Sequence, residues 1–309
     1  MDLAALQQKA AAAAPMPFTE VRQQNKYVTA HVDGDYMAYF AAGSDECSAG
    51  EARRNVLSRL SSLRSISGAA NVIMHLTHGA STKGDRFLVA QAQPYQGQRN
   101  AGRKPRNWEF LRDWMENYEG PEYMTKIWRT READDGMAHV CHQIAAQKKL
   151  LHVVHTADKD MRMFCGVHVS WKDLLITEVP LGTYDIIGTD GKLYGHKWFW
   201  HQMLTGDAAD HIPGLRGVGE KFADAALAGT CCNAEAAAVV RGVYSERVGS
   251  GWEDYFVEQA VLLWMRTDRH ATLRNFLTLG VFGSNIEAAV MRLENRVRNE
   301  RAALAELRK

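Results

Sequence analysis

Four short stretches of this chain gather carboxylates in contexts suited to binding divalent cations. They are HVDGDYMAYF at 31–40, READDGMAHV at 131–140, HTADKDMRMF at 155–164 and MLTGDAADHIPGLRGVGEKF at 203–222. Together they supply Asp33, Glu132, Asp134, Asp135, Asp158, Asp160, Asp207 and Asp210. If the fold brings these acids into one place, their mutual repulsion is tolerable only when cations neutralise it. That is the arrangement two-metal phosphodiester cleavage requires.

Taken singly, each cluster also has a plain structural reading. Asp33 ends an apolar strand, where α/β sheets place their ligands, yet a DG pair at a strand end is more often a turn. Glu132, Asp134 and Asp135 open a helix, and the macrodipole explains one acid there; three within four residues exceed what capping needs. Asp158 and Asp160 follow the apolar run LLHVV. In an extended backbone their i,i+2 spacing points both to one face, although a solvated turn would serve equally well. Asp207 and Asp210 stand at i,i+3, which stacks them on a helical turn. Directly after them, Gly214, Gly217 and Gly219 suit a tight hairpin between helices. Backbone N–H groups around Gly217, Val218 and Gly219 would then face a phosphate, with Lys221 adding a charge contact.

The elements that must position these residues alternate in type. Strands are expected over 27–33, 70–76, 126–130 and 151–156, and helices over 2–14, 51–66, 108–118 and 132–148. This alternation indicates an α/β domain with a mainly parallel sheet. From residue 196 onward the chain reads as helical, which puts a soft boundary near residue 200, between an α/β domain over 1–200 and a helical region over 201–309. A final helix over 285–308 carries Ile286, Val290, Leu293, Val297 and Leu304 on one face, for docking onto its own domain. Residues 79–106 are rich in glycine, glutamine and arginine with weak periodicity, and read as a long functional loop or partly ordered arch.

Composition narrows the classes. The 309 residues are 46% hydrophobic, enough for a substantial core, and 37 basic against 36 acidic residues leave no global basic bias. Nucleic acid would have to be met by locally segregated charge. Five cysteines without a CxxC pair argue against a disulfide framework and point to a reducing, cytosolic compartment. The alanine-rich start lacks the basic and leucine-rich regions of a signal peptide, and no apolar run is long enough to span a membrane. His139, Cys141 and His142 lie within one helical turn, a spacing that fits packing better than zinc, and His152 and His155 read likewise. Trp198 and Trp200 read as core residues.

DGD, READD, TADKD and GDAADHIPGLRGVGEK, in this order and at these separations, resemble the 5′-nuclease family over about residues 28–230. That family comprises flap endonucleases, the 5′-nuclease domains of bacterial polymerases and phage 5′–3′ exonucleases; the size of this chain is most similar to the phage enzymes. The resemblance implies a PIN-like α/β domain with a helix–two-turn–helix element that grips duplex DNA. It also implies two Mg²⁺ or Mn²⁺ ions held by the eight acids, often a monovalent cation such as K⁺ in the glycine-rich turn, and a role in DNA replication. The substrate would be a DNA duplex with a 5′ end or flap, or an RNA–DNA hybrid, met by a monomer.

Two departures stand out. Where the family has a further aspartate after the second strand, this chain has Thr77 and His78, of which His78 is the better stand-in and would favour Mn²⁺ or Zn²⁺ over Mg²⁺. The family motif Tyr-Lys-x-x-Arg, which steadies the scissile phosphate, is read at Tyr95 and Arg99 with Gln96 in the lysine's place. Arg103 or Lys104 is then expected to restore the missing charge. Two rival readings follow: a catalytically weakened binding module for branched or end-containing DNA, and a PIN-like ribonuclease.

Overall fold

The computed structural model describes residues 21–98, 103–145, 147 and 151–307. The helix expected over 2–14, and Arg99, lie outside them. Six strands form the central sheet: β1 (Asn25–Asp33), β2 (Ala69–Thr77), β3 (Met124–Trp128), β4 (Leu151–His155), β5 (Gly166–Val169) and β6 (Ile176–Val179). Their order is β3-β2-β1-β4-β5-β6, and every pairing is parallel except β5 with β6. The inner strands are buried on both faces: Ala30 and Val32 of β1 with Val72, Met74 and Leu76 of β2 on one face, His31 and His75 on the other, and Val153 and Val154 of β4 on opposite faces, as a sheet sandwiched by helices demands. The chain leaves β1 toward β2 on one side and returns as β4 on the other. The strand order therefore reverses between β1 and β4, and ligands of open α/β sheets bind at the carboxyl ends of such strands.

Ten α-helices follow in chain order among the described residues. They are α1 (Gly34–Ala41), α2 (Ala49–Ser67), α3 (Arg86–Val89), α4 (Trp108–Glu116), α5 (Ala133–Ala145), α6 (His196–Thr205), α7 (Glu220–Ala226), α8 (Asn233–Val248), α9 (Trp252–Leu263) and α10 (Ser284–Glu306). A short hairpin, β7 (Ile186–Ile187) with β8 (Leu193–Tyr194), precedes α6. Ser48 and Glu51 form a capping box that starts α2. The strands and helices foreseen between 27 and 156 are all present, with ends shifted by a few residues.

Two hydrophobic clusters hold these elements. One joins Met37, Leu60, Leu63, Met74 and Leu111 around α1, α2, α4 and the sheet. The other joins Met137, Val154, Phe199, Trp200, Tyr244, Phe256 and Val290, tying α5 and β4 to the C-terminal helices. On α10, Ile286, Val290, Leu293 and Val297 are buried, but Leu304 is 42% exposed. The buried part of the apolar stripe thus ends at Val297.

The segment 79–106 departs from a loosely ordered loop in its first half. Lys83–Asp85 forms a single 3₁₀ turn that leads into α3. The guanidinium of Arg296 on α10 donates to the carbonyls of Leu88 and Val89 at 2.7 and 2.9 Å and fastens this piece to the helical layer. The histidines behave as packing groups. His155 stacks on Trp171 at 4.2 Å between ring centroids, and burial pushes its pKa down to about 3. Cys141 lies in the core, and His139 Nδ1 is 2.6 Å from the Thr267 carbonyl.

Candidate metal centre

At the carboxyl ends of β1 and β4 opens a cavity of about 490 Å³, lined by Asp33, Asp35, Glu132, Asp134, Asp158, Asp207 and Asp210, with Lys159 as the one basic lining residue among the described residues. Six of the eight acids singled out from the sequence therefore face one space, although they come from segments up to 177 residues apart in the chain. Asp160 stands just behind: its carboxylate oxygen and those of Asp207 and Asp210 lie within 4.8 Å of one another, as do those of Glu132, Asp134 and Asp135.

Local backbone chemistry aims each acid. Asp33 is the last residue of β1 and also the N-cap of α1; it accepts from the Tyr36 amide at 2.9 Å and from the Thr156 hydroxyl at 2.8 Å. Asp158 and Asp160 do not share an extended strand. The chain turns after β4, where Asp158 Oδ1 accepts from the Asp160 amide at 2.8 Å, and Asp160 starts a 3₁₀ turn. Asp207 and Asp210 are not on a helix either, because α6 ends at Thr205. They occupy a tight turn closed by reciprocal backbone bonds between Asp207 and Ile212, both 2.8 Å, with Asp207 Oδ1 accepting from the Ala209 amide at 2.8 Å. Asn- and Asp-centred turns of this kind compete with helix locally.

The cluster is costly without cations. Burial, with Asp35 close by, pushes the Asp33 carboxyl up to about 7. Burial also raises Asp158 to about 6, and Asp210, Asp207 and Glu132 add to the rise. Asp134 and Asp160 are held well above the usual carboxylate range by burial and their acidic neighbours. Oxygen-only donor sets of this charge suit hard divalent ions such as Mg²⁺ and Mn²⁺. The residues thus fit the group.

Asp135 differs from the other acids: its carboxylate lies close to those of Glu132 and Asp134, but it does not line the cavity. It is fully buried, and both oxygens are engaged: Arg86 grips it with a fork of 2.6 and 2.9 Å, and the Arg266 amide donates to Oδ1 at 2.8 Å. Burial alone would raise its pKa, yet the Arg86 guanidinium holds it below the usual range. Asp135 anchors Arg86 and the start of α5 to the C-terminal layer.

Tyr95 and Gln96 do reach the site, but they act on the acids. The Tyr95 hydroxyl lies 2.7 Å from Glu132 Oε2 and 3.1 Å from Asp210 Oδ2. Gln96 Nε2 lies 3.1 Å from Glu132 Oε1 and 3.2 Å from Asp210 Oδ1, so the pair clamps two acids distant in sequence. Gln96 holds φ at +54°, an uncommon conformation for a non-glycine residue and a sign of local constraint. Arg103 and Lys104, the expected sources of the missing charge, point to other partners. Arg103 pairs with Asp45 at 3.0 Å, and Lys104 sits 3.7 Å from the Trp108 ring centroid; neither lines the cavity. Lys83 instead places Nζ 2.6 Å from Gln96 Oε1 and 3.4 Å from Glu132 Oε1. The signal was present: Lys83 and Arg86 have the Lys-x-x-Arg spacing, with Thr82 where the motif carries tyrosine.

His78 is also turned away. Its Nε2 is 2.9 Å from Arg129 Nη1 and its Nδ1 accepts from the Ala80 amide at 3.0 Å, and it is not among the cavity's lining residues. The acid near the end of β2 is Asp35, which reading the strand alone missed. It accepts from the Thr77 amide at 3.1 Å and pairs with Arg112, while the Thr77 hydroxyl accepts from the Ala133 amide at 2.8 Å and so holds the start of α5.

Beyond the acids the chain makes the glycine-rich turn. Gly206 and Gly214, both at positive φ, pack backbone on backbone; a Cβ on Gly214 would lie 2.2 Å from the Gly206 nitrogen. Gly217, at φ +74°, Gly219 and Lys221 are exposed, Val218 is buried beneath them, and Gly219 opens α7 without a side-chain cap.

A mainly parallel sheet with an acid-lined cavity at its switch point, continued by a helical C-terminal region, is the PIN-like fold of the 5′-nucleases. No family model and no curated protein matches the sequence. Among solved structures, the chain is similar to a bacteriophage T5 flap endonuclease in a pseudo-enzyme–product complex with DNA and metal ions. The identity is 16% and the TM-score 0.56, over 88% of this chain and 99% of that one. It is likewise similar to the bacteriophage T5 5′-exonuclease with zinc bound, at 15% identity and TM-score 0.52, over 87% and 99% of the two chains. At these identities the likeness is one of fold.

Proposed function

We propose that this protein is a metal-dependent 5′-nuclease that hydrolyses DNA near 5′ ends. The observation that carries the reading is the convergence of Asp33, Glu132, Asp134, Asp158, Asp207 and Asp210 on one cavity at the switch point of the sheet. Asp33, Glu132, Asp134 and Asp158 would hold one divalent ion, and Asp160, Asp207 and Asp210 a second. Two such ions supply a nucleophilic water and Lewis acidity at the leaving oxygen. The protein's own part is to pre-position. Tyr95 and Gln96 fix Glu132 and Asp210, Arg86 fixes Asp135, and Lys83 brings positive charge to the rim, where a scissile phosphate would lie. The exposed turn around Gly217 and Gly219, with Lys221, offers backbone N–H groups to a duplex phosphate, and the likeness in fold to a protein solved with DNA supports that partner.

The direct test is cleavage of a 5′-labelled flap duplex in EDTA, Mg²⁺ and Mn²⁺. Cleavage confined to the divalent ions is expected; binding with no cleavage in either would overturn the reading. With the same substrate, Lys83→Ala should lower turnover by about a hundredfold, the typical effect of deleting one pre-organised electrostatic donor. Arg103→Ala and Lys104→Ala should leave turnover unchanged; the reverse ranking would return the role to the segment after Gln96.

Metal binding should also register in stability. A raised carboxyl binds more protons folded than unfolded, so its cost grows as pH rises through the folded pKa. For Asp33 and Asp158 that window runs up to about 7 and about 6. The rise in Tm on adding Mg²⁺ to EDTA-treated protein should be largest above about pH 7 and shrink as pH falls below about 6. A Tm difference independent of pH would count against these carboxylates as the ligands.

A further inference from the structure

Beside the acidic cavity lies a second groove of about 590 Å³ whose charge has the opposite sign. The two share Tyr36, Ala157, Asp158 and Lys159, so they are continuous across the carboxyl end of β4. Among the described residues, seven acids and one base line the first, whereas Arg59, Lys159, Arg162, Lys172 and Lys192 face two aspartates, Asp158 and Asp190, in the second. Lys192 is 3.1 Å from Asp190, its side chain 56% exposed, and Lys172 is exposed as well.

The floor carries aromatic rings at helical spacing. Tyr36 and Phe40 stand one turn apart on α1 and are 40% and 44% exposed, so that together they present a contiguous aromatic surface to the groove. They are braced from below. Trp171 meets Tyr36 and Phe40 edge-on at 4.9 and 5.3 Å, and Arg59 lies over both Phe40 and Trp171 while its Nε donates to His155 at 3.0 Å. Braced rings beside exposed lysines are a platform for stacking unpaired bases while cations follow the backbone, a combination tolerant of sequence. A closed duplex hides its base faces and would leave the rings idle.

Resting on the nuclease reading above, we propose that this groove binds an unpaired nucleic-acid strand next to the scissile phosphate. Phosphates would lie on Lys172 and Lys192, and a base on Tyr36 and Phe40. The sign reversal explains how a polyanion could be seated beside a cavity that would itself repel it.

The test measures binding of a fluorescent oligodeoxythymidylate in EDTA, where hydrolysis is absent, across a salt series. Lys172→Ala with Lys192→Ala should weaken binding by about tenfold and make the log–log salt slope shallower by about 1.4, two single-strand contacts' worth. Phe40→Ala should weaken binding about fivefold or more with the slope kept, because stacking releases no counterions. Lys172→Arg with Lys192→Arg should retain the slope, and thermal melting of each variant checks its fold. Unchanged affinity and slope in folded variants, or a loss confined to a blunt duplex, would overturn the groove. Wild-type protein that binds the strand this way but cleaves nothing would leave the groove standing and sink the nuclease reading. Cleavage with strand binding unaffected by the substitutions would do the opposite.

Discussion

Arg86→Ala is expected to destabilise the protein by about 3–5 kcal/mol, the cost of stranding a buried charge whose partner has been removed. The guanidinium is buried, and it holds Asp135, fully buried, through two bonds while also donating to the Leu262 carbonyl at 3.1 Å. Solvent screening offers no relief at either partner. The double variant Arg86→Ala/Asp135→Ala should be more stable than the sum of the single losses implies, because removing the acid also removes the orphaned charge. Urea denaturation of the three variants and the wild type measures this coupling. A single-variant loss below about 1 kcal/mol, in the range of an exposed pair, would show that Asp135 is served by other groups. Activity should fall as well, since Arg86 lies 3.3 Å from Glu132 and joins the α3 segment to the acids.

Asp158→Asn should move stability and activity in opposite directions. Asp158 is half-buried and faces Asp210, Asp207 and Glu132. Neutralising it removes like-charge repulsion, so in EDTA the variant should melt above the wild type. In Mg²⁺ it should lose hydrolysis by more than the ~10–100-fold typical of groups that only support ligands. The stability gain in EDTA should shrink in Mg²⁺, because the wild type then has cations to offset its charge. Melting curves with and without metal, beside initial rates on the flap duplex, test both halves. A variant that melts lower in EDTA would mean that Asp158 is held by favourable contacts, chiefly the turn it closes with the Asp160 amide, more than it is strained by its neighbours. Sites that hold such charge trade stability for function.

What the sequence determined by itself was the order of the elements and the identity of the acids. Alternating apolar strands and amphipathic helices need only local periodicity to be seen, and Asp33, Glu132, Asp134, Asp158, Asp160, Asp207 and Asp210 announced themselves by their density in short motifs. Which of them face the cavity, and which positive groups stand among them, was decided by tertiary structure. Asp134 and Asp135 are neighbours on one helical turn, yet one lines the cavity and the other is captured by Arg86, which lies 49 residues earlier. Lys83 and Asp35 reach the site through a 3₁₀ turn and the first turn of α1, whereas Arg103, Lys104 and His78, closer to expectation in sequence, are drawn off by Asp45, Trp108 and Arg129. Local motifs record what a residue can do. Charges in a low-dielectric cavity act on whatever lies within a few ångströms, and only the folded chain sets those distances.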